Sequence, residues 1–207
     1  MLVASLALFS CGGEEKKDDK KKDGKEDKKE EVAEKVMWNV DPAATTLEWN
    51  GYKGTDPAND AHIGMISVSE GSIITEGTTV TGGSFKIDMN TMKETTEGAN
   101  EEYSAKLIGH LGNEDFFSVE SNPIAELNIT GGEGNKVMGD LVVMGKTMPV
   151  EIPYEVNVEG DKANFTAEFE VDFSSLALPG MQMEEGGDIN EKVSDKVNFT
   201  LRMSATK

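Results

Sequence analysis

The stretch Phe165-Thr166-Ala167-Glu168-Phe169-Glu170-Val171-Asp172-Phe173 alternates apolar and polar side chains without a break. Alternation with a period of two is typical of a β-strand that has one face in a core and the other in water. Similar runs recur along the chain, and Gly-containing turn signals such as Gly131-Gly132 and Glu159-Gly160 separate several of them. The further predicted strands lie at residues 47–49, 66–68, 85–89, 125–129, 137–143, 148–158 and 197–203, with Ile73-Ile74 as a short partner strand.

One helix interrupts this series of strands. Asn100 can cap its N-terminus, and Gly112 can end it. Between them, Tyr103, Leu107 and Leu111 fall on one helical face. The patterns therefore predict an all-β fold, an antiparallel β-barrel of about eight strands with one short α-helix. A barrel of this size is either packed solid or holds one small ligand, and the pattern leaves both open.

Charge is distributed unevenly over the 207 residues. Residues 12–36 carry a net charge of −1 and residues 37–207 a net charge of −18. The strong negative charge of residues 37–207 argues against nucleic-acid binding and against adsorption to anionic lipid. The single cysteine excludes an internal disulfide and a cysteine-based zinc site.

The N-terminus resembles a bacterial lipoprotein signal. Residues 2–10 are too short to cross a bilayer and are typical of the apolar region of a signal peptide. We expect a signal peptide at residues 1–10, a lipobox that ends at Cys11 as the lipidation site, and a charged flexible tether at residues 11–36. The domain would then span residues 37–207, anchored to a membrane through Cys11 at the cell envelope, on the periplasmic or outer-membrane surface.

An ordered set of local motifs runs over about residues 38–205. The motifs are Trp38-Asn39-Val40-Asp41, Leu47-Glu48-Trp49-Asn50-Gly51-Tyr52-Lys53, Ala61-His62-Ile63-Gly64, Asp115-Phe116-Phe117, Asn122-Pro123-Ile124-Ala125, Gly139-Asp140-Leu141 and Val193-Ser194-Asp195-Lys196-Val197. This set resembles the YceI-like family of periplasmic lipid-binding β-barrels. The resemblance implies a lipocalin-like barrel that holds a long apolar chain, typically a polyisoprenoid, in its lumen. Residues 178–187 depart from the family pattern, and we expect a mobile loop there.

The function that this resemblance implies is to bind and sequester or carry an isoprenoid-like or fatty ligand, with no other cofactor. The net negative charge would disfavour a phosphate head group. The alternative is a surface-tethered acidic interaction module with a solidly packed barrel, and a homodimer stays open. The candidate lumen residues are Trp49, Phe85, Ile87, Leu127, Leu141, Val143, Phe165, Phe169, Phe199 and Leu201.

Enzymatic chemistry is the rival interpretation. His62 and His110 are the only histidines, and either could pair with Glu114 or Asp115 in an acid–base or metal site. No hydrolase, phosphate-binding, zinc-protease or calcium-loop motif appears in the sequence. We therefore predict a protein that is not an enzyme and has no metal. The methionines could ligate copper or, as we favour, pack adaptably around a ligand: Met138, Met144, Met148, Met181 and Met183.

Overall fold

A computed structural model describes residues 34–207 of the chain. The predicted signal peptide, the lipidation site Cys11 and the tether as far as residue 33 lie outside the described residues. Within the described range, no helix is long and apolar enough to cross a membrane.

Residues 34–207 form ten β-strands, one α-helix and three short 3-10 turns. The helix, α1, spans Glu101–Leu111, and the Asn100 side chain accepts a hydrogen bond from the Tyr103 N–H, as the sequence predicts for a cap. The strands are β1 Lys35–Val40, β2 Thr46–Gly51, β3 His62–Glu76, β4 Thr79–Glu94, β5 Ile124–Glu133, β6 Lys136–Val143, β7 Lys146–Pro153, β8 Glu155–Glu159, β9 Lys162–Asp172 and β10 Lys196–Thr206.

All pairings are antiparallel, and the ten strands occupy eight positions around a barrel. Strands β1 and β2 lie end to end between β3 and β10, because β1 pairs with the second half of β3 and β2 with the first half. Likewise β7 pairs with β6, and β8 with β9. Strand β7 also lies beside β9, where the barrel closes. The predicted all-β barrel of about eight strands with one helix is confirmed.

The strand boundaries differ from the sequence expectation in three places. Strand β1 begins at Lys35, two residues inside the stretch predicted as tether. The two separate runs predicted around Ile66 and Ile73 belong to the single strand β3. Its pairing with β4 contains register shifts, and these allow the strand to curve. The predicted run 148–158 breaks at Tyr154, whose N–H bonds to the Asn135 carbonyl outside the ladder.

One end of the barrel, which we call the closed end, is filled by side chains. Tyr154 is buried there, and its hydroxyl accepts a hydrogen bond from the Val80 N–H at 2.8 Å. The same oxygen lies 3.1 Å from the carbonyls of Thr78 and Gly134, to which it can donate its proton. Tyr154 therefore ties the β3–β4 turn to the neighbouring β5–β6 turn.

A second buried polar contact reinforces the closed end. The Trp38 indole N–H donates to the Thr75 hydroxyl at 2.9 Å, and both side chains are fully buried. Small residues on the last two strands, Ala163 and Ala205, are completely buried beside them. Close packing of large and small side chains thus leaves no room for a ligand at this end.

Candidate ligand cavity

The opposite half of the barrel contains an apolar cavity of about 190 Å³. Its walls come from the inward faces of the strands, and a roof comes from the segments after α1 and after β9. Nearly every lining group is hydrocarbon, so the cavity favours an apolar occupant over water. The lining residues outside the predicted set are Leu47, Gly51, Ile66, Val68, Met89, Met92, Leu111, Phe116, Phe117, Ala125, Val150, Ile152, Val171, Phe173, Met181, Val193, Ser194 and Val197.

Nine of the ten lumen candidates line this cavity: Trp49, Phe85, Ile87, Leu127, Leu141, Val143, Phe169, Phe199 and Leu201. The tenth, Phe165, is 3% exposed but lies deeper. Its register partner is Met203, and its ring centroid is 6.5 Å from that of Tyr154 at the closed end. Alternation assigns Phe165 correctly to the inner face, but it carries no information on depth along the barrel.

Two aromatic side chains connect the two segments of the roof. The rings of Phe117 and Phe173 meet edge to face at 5.7 Å between centroids. Phe116 beside them is buried, and Met181 reaches the same space from the segment after β9. The Phe116-Phe117 motif is visible in the sequence, but its position at the cavity was not predicted.

The segment after β9 is held against this roof. The Gly180 N–H donates to the Asp115 carbonyl at 2.8 Å, and Lys146 Nζ donates to the Leu176 carbonyl at 2.9 Å. Leu178 and Met181 are almost fully buried. The predicted loop over residues 178–187 lies in the connection between β9 and β10, where Pro179–Met181 form a 3-10 turn whose apolar neighbours pack on the barrel, and its mobility stays a prediction. Residues 182–190 are exposed.

The cavity volume sets the size of what fits beneath the roof. An engineered apolar cavity of about 150 Å³ accommodates benzene. About 190 Å³ is accordingly enough for a ring or a short stretch of chain. A longer chain must reach out past the roof or displace it, which makes the roof segments the gate of the cavity.

Trp49 forms the wall at the α1 side of the cavity. A β-carbon at Gly64 would lie 2.1 Å from Trp49 Cζ2 and 2.2 Å from Cε2, so the indole lies directly on the inward face of that glycine. Trp49 is 7% exposed, and its Nε1 has no hydrogen-bond partner among the described residues. The other polar lining residue, Ser194, accepts a hydrogen bond from the Lys196 N–H at 3.1 Å.

A hydrogen-bonded side-chain pair lies at the same end of the barrel. His62 Nδ1 is 2.8 Å from Glu94 Oε1, and the Glu94 side chain is 1% exposed. The His62 ring stacks on Tyr103 of α1 at 5.8 Å. Burial would raise the pKa of Glu94, but hydrogen bonding from His62 and the neighbouring Ser104 and Thr96 hydroxyls outweighs it and leaves that pKa lowered. The pair thus ties α1 to the ends of β3 and β4.

Tyr103 differs from its predicted place on the helix. It is 49% exposed, whereas Leu107 and Leu111 pack against the core. The helix thus turns only part of its predicted apolar face inward, and the Tyr103 ring covers His62 instead.

The second histidine lies at the far end of α1. His110 Nε2 is 3.2 Å from Asp115 Oδ2, as one predicted pairing proposed, but both side chains are about half exposed. Glu114 is exposed and contributes no contact to His110. The two histidines therefore do not converge on one site.

The described residues contain no group of three or more His, Cys, Asp or Glu side chains that could hold a metal. The methionines considered as copper ligands are scattered. Met148 is buried, Met181 lines the cavity, and Met138 and Met183 are exposed. Their placement favours packing over ligation.

Comparisons with known proteins agree with this architecture. The model of the YceI-like domain family matches residues 38–205. The crystal structure of Burkholderia cenocepacia BcnA is similar with a TM-score of 0.61 at 19% identity, over 81% of this chain and 99% of that one. A Campylobacter jejuni YCEI protein aligns with a TM-score of 0.49 at 16% identity, over 62% of this chain and 73% of that one. No curated protein matches the sequence.

Proposed function

Because the chain belongs to the YceI-like family, whose barrels bind polyisoprenoid or other lipid ligands and are binding proteins rather than enzymes, we propose that this protein binds an apolar lipid in its barrel. The observation that carries the proposal is the cavity beneath the roof, with walls of hydrocarbon side chains. A barrel that served only as an acidic interaction module would have no need for unfilled volume, since packing it would stabilise the fold.

The driving force is transfer of hydrocarbon from water into this cavity. Each buried methylene contributes about 0.8 kcal/mol, so ten contribute roughly 8 kcal/mol before the cost of immobilising the ligand. That cost removes several kcal/mol. Tight binding therefore requires a ligand that also buries its remaining length against the roof, which favours a prenyl or fatty chain over a lone ring.

The test uses a pair of variants on neighbouring residues of β5. Ala125 lines the cavity and is 4% exposed, whereas Ile124 points outward and is 39% exposed. Ala125→Phe should fill the cavity and abolish both the copurified lipid and the gain in melting temperature with added prenyl lipids. Ile124→Phe should retain both.

Lipid is measured by solvent extraction of the purified protein and mass spectrometry. A lipid-free extract of the wild-type protein, together with no change in melting temperature on addition of prenyl or fatty lipids, would overturn the proposal. Equal lipid content in the two variants would place the ligand elsewhere.

We further propose that the protein is anchored at the cell envelope through a lipid on Cys11, with the lipid ligand and the membrane as its partners. The apolar run before Cys11 and the hydrophilic run after it support this. Cys11→Ser should release the protein from the membrane fraction and remove a fatty-acyl label. Retention of the label in that variant would contradict the proposed anchor.

A further inference from the structure

The wall of the barrel is interrupted between β7 and β9. Strand β7 pairs with β6 on one side, and β9 pairs with β8 only as far as Thr166. From there to Asp172 the edge of β9 lies beside β7, and within residues 34–207 no register pairing joins the two. We call this boundary the seam. All other neighbouring strands of the described barrel are joined by backbone ladders.

The tight turn before β7 determines which of its backbone groups face the seam. Val143 and Lys146 flank the two-residue turn Met144-Gly145, in which both residues have positive φ. The residues that flank such a turn bond to each other, and bonded and non-bonded pairs then alternate along the antiparallel ladder. Residues 147, 149, 151 and 153 therefore direct their N–H and C=O groups away from β6 and towards the seam.

The sequence of both edges keeps the seam unpaired. Two of the four β7 positions that face it are Pro149 and Pro153, which have no N–H to donate. On β9 the same alternation, counted from the β8–β9 turn, directs the backbone of Glu168, Glu170 and Asp172 towards the seam. Proline and charged side chains at a strand edge oppose strand pairing. A complete ladder therefore cannot form here.

The cavity reaches the seam from the inside. Val150 and Ile152 on β7 and Phe169 and Val171 on β9 all line it. A hydrocarbon chain that passed between these strands would therefore meet apolar side chains on both edges. Separation of β7 from β9 breaks no ladder, whereas separation of any other neighbouring strands in the described barrel would break several backbone hydrogen bonds.

The seam is held at its two ends. At the roof, Lys146 Nζ at the start of β7 donates to the Leu176 carbonyl, in the segment after β9, at 2.9 Å. At the closed end, the chain runs through Tyr154 from β7 into β8, which pairs with β9. Between these two points the strand edges are unpaired, so this is the part of the wall that can part most easily.

We propose that the seam is a lateral portal, through which the chain of an apolar lipid passes between β7 and β9 into and out of the cavity. This inference rests on the proposed lipid-binding function and adds the route of the ligand. The cavity holds only a ring or a short stretch of chain, so a longer ligand extends its remaining length through the seam. Release of Lys146 from Leu176 widens the portal at the roof.

The experiment closes the seam covalently in a Cys11→Ser background, which leaves no native cysteine. Glu151→Cys on β7 and Glu170→Cys on β9 place exposed thiols on the two edges, and a short bifunctional thiol reagent joins them. Glu168→Cys in place of Glu170→Cys covers the neighbouring register. The matched control joins Glu151→Cys to Met138→Cys, its register partner in the β6–β7 ladder.

The probe is retinol, an isoprenoid that quenches tryptophan fluorescence when bound, and phosphatidylcholine vesicles accept it on release. Cross-linking of the seam pair should slow uptake and release at least about tenfold, whereas cross-linking of the control pair should change them less than about twofold. Lys146→Met should speed release about fivefold before the seam is cross-linked, and should have no effect afterwards.

Unchanged rates after cross-linking of the seam would overturn the portal while lipid binding stands. Failure of both seam pairs to cross-link would also overturn it, because the two edges would then not face each other. If the wild-type protein bound neither retinol nor any prenyl or fatty lipid, the proposed function and the portal would fall together.

Hydrogen exchange of the lipid-free protein provides a measurement that needs no ligand. The amide of Glu151, which faces the seam, should exchange faster than those of Val150 and Ile152, which are bonded to β6. Equal protection of the three amides would mean that β7 and β9 are paired, and the portal would be ruled out.

Discussion

The indole of Trp49 occupies the space that any side chain at Gly64 would need. A β-carbon at Gly64 would lie 2.1 Å from Trp49 Cζ2 and 2.3 Å from the Lys93 carbonyl oxygen, far inside van der Waals contact. The cavity wall at this end therefore depends on a glycine 15 residues away in the sequence.

Gly64→Ala should destabilise the barrel by about 2–3 kcal/mol, because one of the atoms in the way belongs to the backbone and cannot rotate aside. For a domain of this size the melting temperature should fall by roughly 5–10 °C. Gly82→Ala in β4 is the control, since its nearest neighbour would be Ile74 Cδ1 at an ordinary 3.6 Å. Equal melting temperatures for the two variants would contradict the steric argument.

Gly180 meets a similar restriction at the roof. A β-carbon there would lie 2.3 Å from Phe116 Cε2, so Gly180→Ala must push the segment after β9 away from the barrel. We expect backbone amides of Leu178–Met181 to exchange with solvent about tenfold faster, and a bound lipid to dissociate faster. Hydrogen exchange by mass spectrometry measures the first effect without a ligand.

Ser175→Ala, on an exposed side chain in the same segment, should leave both rates unchanged. Unaltered exchange in Gly180→Ala would mean that Phe116 adjusts instead, and that the roof is not fixed by this contact.

At the closed end, Tyr154→Phe removes a hydroxyl and leaves the buried Val80 N–H without its acceptor. The cost should be about 2–3 kcal/mol, a fall of roughly 4–10 °C in melting temperature, with ligand affinity unchanged because the cavity is in the other half. Tyr103→Phe, on a half-exposed ring, should have little effect on stability. A change in ligand affinity in Tyr154→Phe would show that the two halves are coupled.

The His62–Glu94 pair predicts a pH dependence of stability. Folding lowers the pKa of Glu94 below its ordinary value of about 4.5. Its contribution is therefore complete above that value and is lost as the pH falls through the lower pKa of the folded state. Glu94→Gln should lower the melting temperature by about 3–6 °C at neutral pH, and the difference should shrink as the pH falls below about 4.5.

Glu70→Gln is the control for this titration, because Glu70 contacts Lys86 on the exposed surface. It should change the melting temperature by at most about 1–2 °C at any pH. A constant difference between Glu94→Gln and wild type from pH 7 to about pH 3 would show that packing, not charge, explains the loss.

Local patterns predicted the inner face of the barrel well, since alternation directly reports which side chains share a face. Nine predicted lumen residues consequently line the cavity, but Phe165 does not. The depth of a side chain along the barrel depends on its register with the neighbouring strands, which alternation does not report. The sequence did not predict the break at Tyr154, because that break also depends on distant parts of the chain. Its hydroxyl finds partners near residues 78–80 and 134, and no local pattern encodes them.

The remaining site residues depend on contacts between distant parts of the chain. His62 and Glu94 are 32 residues apart, and the spacing of the sequence did not indicate this pairing, whereas the pairing of His110 with the nearby Asp115 was among those predicted. The Phe116-Phe117 motif was visible, yet its role as a roof required the segment around Gly180 to reach it. The sequence therefore indicates a barrel with an apolar inner face and a polar outer face, whereas the volume of the cavity depends on long-range packing.

Strand β1 enters the barrel beside Glu76, and β10 ends beside Lys162, both at the closed end. The two ends of the domain thus leave from one pole, opposite the gate formed by the roof. A fluorescent fusion or an affinity handle placed after Lys207 would consequently lie away from the roof, and a molecule captured through that handle would present its roof to the solution for kinetic measurements.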